Sequence, residues 1–306
     1  MNVTFRQLRL FLALAETGSV SAAARAMHVT QPTASMQLKE ITESVGLPLY
    51  EVIARKVHLT EAGIALAQTA RTLATEWENY AQQVDAMKGL TRGKLRIAVV
   101  STAKYFVPRL LGGFCSRHPD VEIALEVLNR DGVVQRLREN MDDLYIMSRP
   151  PADLDLDDHV FMSNPLVVVA PVRDPLIARR RIRLQDLQAR RFLLREQGSG
   201  TRMAVDEHFK AKGFTPQVRL ELGSNEALKE AVAGGLGISV LSQHALHGQN
   251  REHGVVVLDV QGFPISSSWH VVNLRAKRLS PIAAAFLDHL QRKARGWGRI
   301  TTPPQS

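Results

Sequence analysis

Apolar positions recur along this chain with changing period, and each change marks a different part. The clearest run covers residues 61–88. Leu66, Ala70, Leu73, Trp77, Tyr80, Val84 and Met87 are spaced alternately four and three apart. That 3.5-residue period keeps one seam turned toward a partner helix. No proline interrupts the run, and its one glycine, Gly63, lies near the start. About 28 residues at ~1.5 Å each give a rod of roughly 42 Å. A helix that long with one narrow apolar stripe calls for a partner, so the pattern predicts dimerisation. The alternative is an amphipathic helix lying on its own domain.

Ahead of this helix the pattern predicts two short helices and a tight turn. Residues 21–27 read as a small helix, whose Ala22, Ala23, Ala24 and Ala26 let a second helix approach closely. Thr30 is placed to cap the next helix, because its hydroxyl can accept from an otherwise unpaired amide. Pro32 then falls in the first turn, where its missing N–H costs little. This is a helix-turn-helix pattern, whose second helix enters the DNA major groove with its N-terminal residues leading.

Beyond residue 89 the pattern changes again. Gly89 and Gly93 flank a linker, and short apolar runs then alternate with helical periods. Strands are predicted at 94–100, 121–128, 143–147, 166–170, 191–194, 218–222, 237–241 and 269–274. Helices are predicted at 103–117, 132–140, 201–212, 225–233 and 281–295. Such alternation argues for a mostly parallel sheet with helices on both faces, here as two α/β lobes with a cleft between them. The tail, 301–306, reads as disordered.

In open α/β sheets, ligands bind beyond the carboxyl ends of strands, near helix N-termini. Ser101-Thr102 follows the first strand of one lobe. Gln197-Gly198-Ser199-Gly200-Thr201-Arg202 stands between a strand and a helix of the other. The second segment offers hydroxyls, backbone amides and a helix dipole to an anion, and Arg202 adds a charged donor. Equally, it is a Gly-rich turn capped by Ser199 or Thr201. It is not a Walker motif.

At 306 residues and 45% hydrophobic content, the chain has room for two or three cores. No apolar run approaches the ~18–20 residues of a membrane span, and Arg6 and Arg9 interrupt the N-terminal stretch. Cys115, the one cysteine, excludes an internal disulfide, fits a core position and points to a reducing cytoplasm. The net charge is +9, yet residues 1–60 hold six Lys/Arg against four acids. Much of the excess lies at Arg173, Arg179, Arg180, Arg181, Arg183, Arg190 and Arg191, a solvated face that can also draw in an anion. No metalloprotease, Cys-x-x-Cys or Gly-x-Ser-x-Gly motif occurs, and the ten histidines show no metal-ligand spacing, so neither an enzyme nor a cofactor is expected.

These residues together resemble a LysR-type transcriptional regulator over essentially the whole chain. The matching set is Phe11, Gly18-Ser19, Ala22-Ala23-Ala24, Met27-His28-Val29-Thr30-Gln31-Pro32, Ser35, Gly46, Leu49-Tyr50-Glu51 and Leu59-Thr60-Glu61-Ala62-Gly63. The resemblance implies a winged helix-turn-helix over 1–60 and a dimerising linker helix over 61–89. It further implies a two-lobed effector domain like periplasmic solute-binding proteins. Lobe one spans 93–163 and 267–300, lobe two 164–266, and the chain crosses between them near 162–166 and 264–268.

Carried onto this chain, the DNA-facing positions are Ser21, Gln31, Pro32, Thr33, Ser35, Lys39 and Arg55. Gln31 is expected to reach a base edge or phosphate, Ser35 and Lys39 phosphate. The effector positions are Ser101, Thr102, Arg149, Gln197, Ser199, Gly200, Thr201 and Arg202. Met36, Ile41-Thr42 and Val52 depart from the family pattern and imply fewer cationic contacts to the DNA backbone. Residues 103–111, Phe114-Cys115, His118-Pro119, Asn129-Arg130, Asp142-Asp143-Leu144, Ile146-Met147 and Arg149-Pro150-Pro151 are similar to regulators of carbon-fixation operons. That likeness implies a phosphorylated metabolite or NADPH as effector. The implied partners are double-stranded promoter DNA, a small anionic effector, further copies of the chain as dimer or tetramer, and RNA polymerase. A regulator of another operon with a carboxylate effector, or a solute-binding module, is the alternative.

Overall fold

The computed structural model describes residues 2–54, 56–88, 92–246 and 254–297. Arg55, the linker residues 89–91 and the tail at 301–306 lie outside them. Two units make up the described chain, the N-terminal part through the long helix and the α/β part that follows.

The first unit opens with helix α1 (Phe5–Thr17), capped by Thr4 and ended by Gly18 at φ 62°. Helix α2 (Val20–Ala26) is capped by Ser19. Helix α3 (Gln31–Val45) starts at Thr30, whose hydroxyl accepts from the Thr33 amide, and Pro32 sits in its first turn. Ala23 and Ala24 are buried, as close helix packing requires, and join Leu10, Phe11, Leu14, Ala34, Leu38 and Ile41 in one core. A hairpin of β1 (Tyr50–Ile53) and β2 (Lys56–Leu59) forms the wing. Helix α4 (Glu61–Met87) follows, capped by Thr60. Gly63 permits its docking on the wing: a Cβ there would lie 1.8 Å from the Leu49 carbonyl oxygen. The predicted seam divides in two. Leu66 and Ala70 belong to the core side of α4, whereas Leu73, Trp77, Tyr80 and Met87 are exposed in the single chain.

The second unit holds two five-stranded sheets. Lobe one begins with β3 (Gly93–Val100), a 3-10 turn at Ser101–Tyr105 and α5 (Val107–Cys115). One helix over 103–117 was the expectation. Pro108 fits only a first turn, so the helix begins at Val107 and the preceding residues form the tighter turn. Then come β4 (Val121–Leu128), α6 (Arg130–Arg138), β5 (Leu144–Met147) and β6 (Leu156–Ser163). Strand β6 is absent from the sequence reading.

Lobe two contains β7 (Leu166–Pro171), β8 (Arg191–Arg195), α7 (Gly200–Ala211), β9 (Gln217–Leu222), α8 (Asn225–Ala233), β10 (Ile238–Ser242) and β11 (Val255–Val257). The chain then returns to lobe one as β12 (Ser268–Leu274) and α9 (Pro281–Trp297). The first sheet runs β4-β3-β5-β12-β6 and the second β11-β7-β10-β8-β9. Both are mixed rather than mostly parallel. Strands β3, β4 and β5 are parallel, but β12 enters from the other lobe and pairs antiparallel with β5 and β6. Likewise β8 is parallel to β9 and β10, while β7 is antiparallel to β10 and β11.

The apolar runs follow from burial on both sheet faces. In lobe two, Leu166, Val168, Ala170, Phe192 and Leu194 pack with Phe209 of α7. The intervening Val167, Val169 and Leu193 pack with Leu228 and Val232 of α8. This double layer sets the carboxyl end of β8 and the N-termini of α7 and α8 against lobe one.

Candidate functional site

The recognition-helix candidates share one face of α3. Gln31, Ser35 and Lys39 are four apart and exposed, and the adjacent face, Ala34, Leu38 and Ile41, turns into the core. Pro32 is also exposed, and Thr33 is half-buried with its hydroxyl 2.8 Å from that of Thr30. Ser21, in the first turn of α2, donates to Gln31 Oε1 at 3.0 Å and ties the two helices at their leading ends. Lys39 lies 3.7 Å from Glu43, an exposed pair that leaves the ammonium available to phosphate. Met36 is exposed on the same surface.

The second candidate is the cleft between the two lobes. Its walls are Val100, Ser101, Thr102, Arg130, Ser148 and Trp269 from lobe one, with Arg195, Ser199, Gly200 and Thr201 from lobe two. The backbones approach closely. A Cβ at Gly200 would stand 2.6 Å from Ser148 Oγ, and one at Gly198 would stand 2.7 Å from Asp131 Oδ2. Ser199 caps α7, so the first amides of that helix face the cleft with its dipole behind them. The walls thus carry two guanidinium groups, five hydroxyls and no carboxylate. Such a set favours an anion.

Of the predicted effector residues, Ser101, Thr102, Ser199, Gly200 and Thr201 meet at this cleft. Arg149, Gln197 and Arg202 do not line it. Arg149 makes a bidentate pair with Glu207 of α7, at 2.8 and 2.6 Å. Arg202 turns back to Asp206, Glu221 and the Arg195 carbonyl. Gln197 is exposed in the turn before the helix. These two arginines hold the cleft's frame, and their charges are already met.

Two arginines missed by the sequence reading line the cleft instead. Arg130 begins α6 after β4 and donates Nε to the Arg149 carbonyl at 2.8 Å. Its nearest acid, Asp131, is 4.0 Å away and largely exposed. Arg195 ends β8 and is buried; Nε and Nη2 reach Glu196 at 2.7 and 2.9 Å. Nη1 reaches Asn225 Oδ1 at 2.9 Å, and Nη2 reaches Ser101 Oγ at 3.2 Å. The carboxyl-end rule that selected Ser101 points equally to both arginines, each at the end of a strand.

A second set of contacts closes the lobes beside the cleft. Tyr105 Oη donates to Glu226 Oε1 at 2.6 Å, and Lys104 Nζ to Oε2 at 3.0 Å. Burial opposes ionisation of Glu226, but these bonds outweigh it and hold the carboxyl at about 2. Burial and the same carboxylate push the Tyr105 phenol up.

Comparison with known proteins identifies the family. Residues 5–64 match the bacterial regulatory helix-turn-helix protein, lysR family, and residues 88–295 match the LysR substrate binding domain. The chain belongs to the LysR family of bacterial transcriptional regulators. The HTH-type transcriptional activator CmpR of Synechocystis is 43% identical over 289 residues, covering 94% of this chain and 95% of that one. A RuBisCO operon transcriptional regulator of Acidithiobacillus ferrooxidans is 42% identical, covering 94% of each. Among solved structures, the regulatory domain of Synechocystis CcmR in complex with 2-PG is 47% identical, with a TM-score of 0.65. It covers 67% of this chain and 98% of that one. These LysR-family relatives are named as regulators, not enzymes. Among the described residues, no group of three or more His, Cys, Asp or Glu is placed to hold a metal, and no helix is long and apolar enough to cross a membrane. Cys115 is half-buried at the end of α5.

Proposed function

We propose that this LysR-type regulator controls a carbon-fixation operon and responds to a small phosphorylated carboxylate of the 2-phosphoglycolate class. One observation carries the effector class: a cleft walled by Arg130, Arg195 and five hydroxyls, with no carboxylate among its walls. The relatives' names supply the operon class, and the 2-PG complex of CcmR supplies the ligand type. In this reading residues 1–60 read promoter DNA, with Gln31 at a base edge and Ser35 and Lys39 at phosphates. Helix α4 dimerises the chain through Leu73, Trp77, Tyr80 and Met87, which the single chain leaves in water. Residues 93–163 with 267–300 form one effector lobe and 164–266 the other. Closure of the lobes on the ligand shifts the arrangement of the subunits on DNA, in proportion to its differential affinity for the closed state.

A thermal-shift panel tests the effector class. It holds 2-phosphoglycolate, ribulose bisphosphate, phosphoglycerate, NADPH and unphosphorylated carboxylates. A selective, saturable rise with 2-phosphoglycolate is expected, since a ligand at ~100 times its dissociation constant adds about 2.7 kcal/mol. A response to glycolate or an aromatic acid, with none to any phosphate, refutes the effector class.

A further inference from the structure

We propose that Asn225 is a positioning residue for the effector, fixing the Thr102 hydroxyl as a hydrogen-bond donor aimed at an anion. This rests on the cleft being the effector site.

The Arg195 guanidinium has five N–H groups and no acceptor. Its Nη1 lies 2.9 Å from Asn225, so the amide atom facing it is the oxygen. The neighbouring guanidinium therefore decides which way the amide points. Asn225 Nδ2 then faces Thr102 Oγ1 at 2.9 Å. Arg195 Nη1 reaches the same hydroxyl oxygen at 3.5 Å. A hydroxyl has two lone pairs and one proton. One lone pair of Thr102 takes the Asn225 amide and the oxygen also faces the Arg195 guanidinium, so its proton has to leave in another direction. Thr102 is 5% exposed, lines the cleft, and meets no acceptor for that proton among the described residues. A ligand oxygen completes the chain.

Arg195 itself acts through these partners. All of its N–H groups are directed at Glu196, Asn225, Thr102, Ser101 and the Gly223 carbonyl. Ser101 Oγ accepts from Nη2, so its proton is likewise free for the cleft. Hydrogen-bond polarity thus passes from a buried cation through Asn225, 2% exposed, to a hydroxyl 123 residues away on the other lobe. Chains of this kind polarise their members and strengthen the terminal donor.

The test is calorimetric titration of the full-length protein with 2-phosphoglycolate, with melting curves for every variant. Asn225→Asp keeps the side chain's shape but places an acceptor against Thr102, capturing the proton meant for the ligand. It is expected to weaken binding ~30-fold or more. Asn225→Ala removes the amide without adding an acceptor and is expected to cost less than the Asp variant. Thr102→Val is expected to weaken binding ~10-fold. In the Thr102→Val background, Asn225→Asp should add no more than ~3-fold, the residue of its charge. An equal penalty from Asn225→Asp in both backgrounds, or an Ala variant as damaging as the Asp variant, overturns the proposal. A Thr102→Val protein that binds like the wild type instead removes the cleft as the effector site.

Discussion

Replacing Ser35 with glutamate is expected to abolish specific operator binding while leaving the fold intact. Ser35 is exposed one turn beyond Gln31, on the face of α3 adjacent to its buried Ala34, Leu38 and Ile41. With Ser35 at a phosphate, as proposed, a carboxylate there would meet the duplex backbone where the wild-type hydroxyl can donate a hydrogen bond. The change removes a contact and adds repulsion at the point of closest approach. In a dimer both half-sites are hit, so the loss is expected to reach ~100-fold or more. Glutamate is a good helix former, so α3 and the melting temperature should be unaffected. Fluorescence anisotropy with operator DNA, alongside circular dichroism, checks both halves. Unchanged binding removes this face of α3 from the DNA interface.

Trp77→Glu combined with Tyr80→Glu is expected to convert the protein to a monomer. These side chains are 62% and 57% exposed in the single chain, and their rings are 5.9 Å apart on one side of α4. Leu73 and Met87 extend the same apolar surface along the helix. Burying four such side chains is worth several kcal/mol, at ~1.5–3 kcal/mol each when fully covered. Two carboxylates at the centre of that seam, repeated on the partner, cannot be buried without cost. Light scattering should show the mass halve or fall further. Operator affinity should drop ~100-fold or more, because two half-sites are no longer engaged by one molecule. A stable oligomer with unchanged affinity places the subunit contacts elsewhere.

The N-terminal unit was legible because its signals are local. Thr30, Gln31 and Pro32 specify a helix start within three residues, and Ser19 does the same for α2. The 3.5-residue period of α4 needs only the helix itself to be read. Two lobes were legible from the alternation of strand and helix patterns, but strand direction was not. The antiparallel entry of β12 depends on a return from the second lobe, which no local pattern records. Strand β6 escaped because Asp157, Asp158 and His159 interrupt its apolar character, and Val160 is exposed. Pro108, which divides the first lobe's helix, is a local signal of that break.

At the cleft, the hydroxyls and glycines followed from the rule about strand ends. The cations did not. Arg202 closes the Gly-rich segment and Arg149 belongs to the stretch that resembles carbon-fixation regulators, yet Asp206 and Glu221 claim the first and Glu207 the second. Arg130 and Arg195 face the cleft because strands β4 and β8 end there. Which arginine lines the cleft depends on how strand ends and pairing partners come together in the fold, and the sequence carries no local mark of it. Asn225 is the extreme case, since its meaning comes entirely from Arg195 and Thr102.

An anion in the cleft is expected to control the protein on DNA. The most direct test follows operator affinity and operator bend by fluorescence while 2-phosphoglycolate is titrated into the full-length protein. The wild type should change its DNA affinity by at least ~5-fold or change its bend measurably, within the usual range of coupling between two sites. Thr102→Val combined with Arg130→Ala should bind operator as before and show neither change. A wild type that ignores 2-phosphoglycolate, or a double variant that responds as the wild type does, contradicts the account.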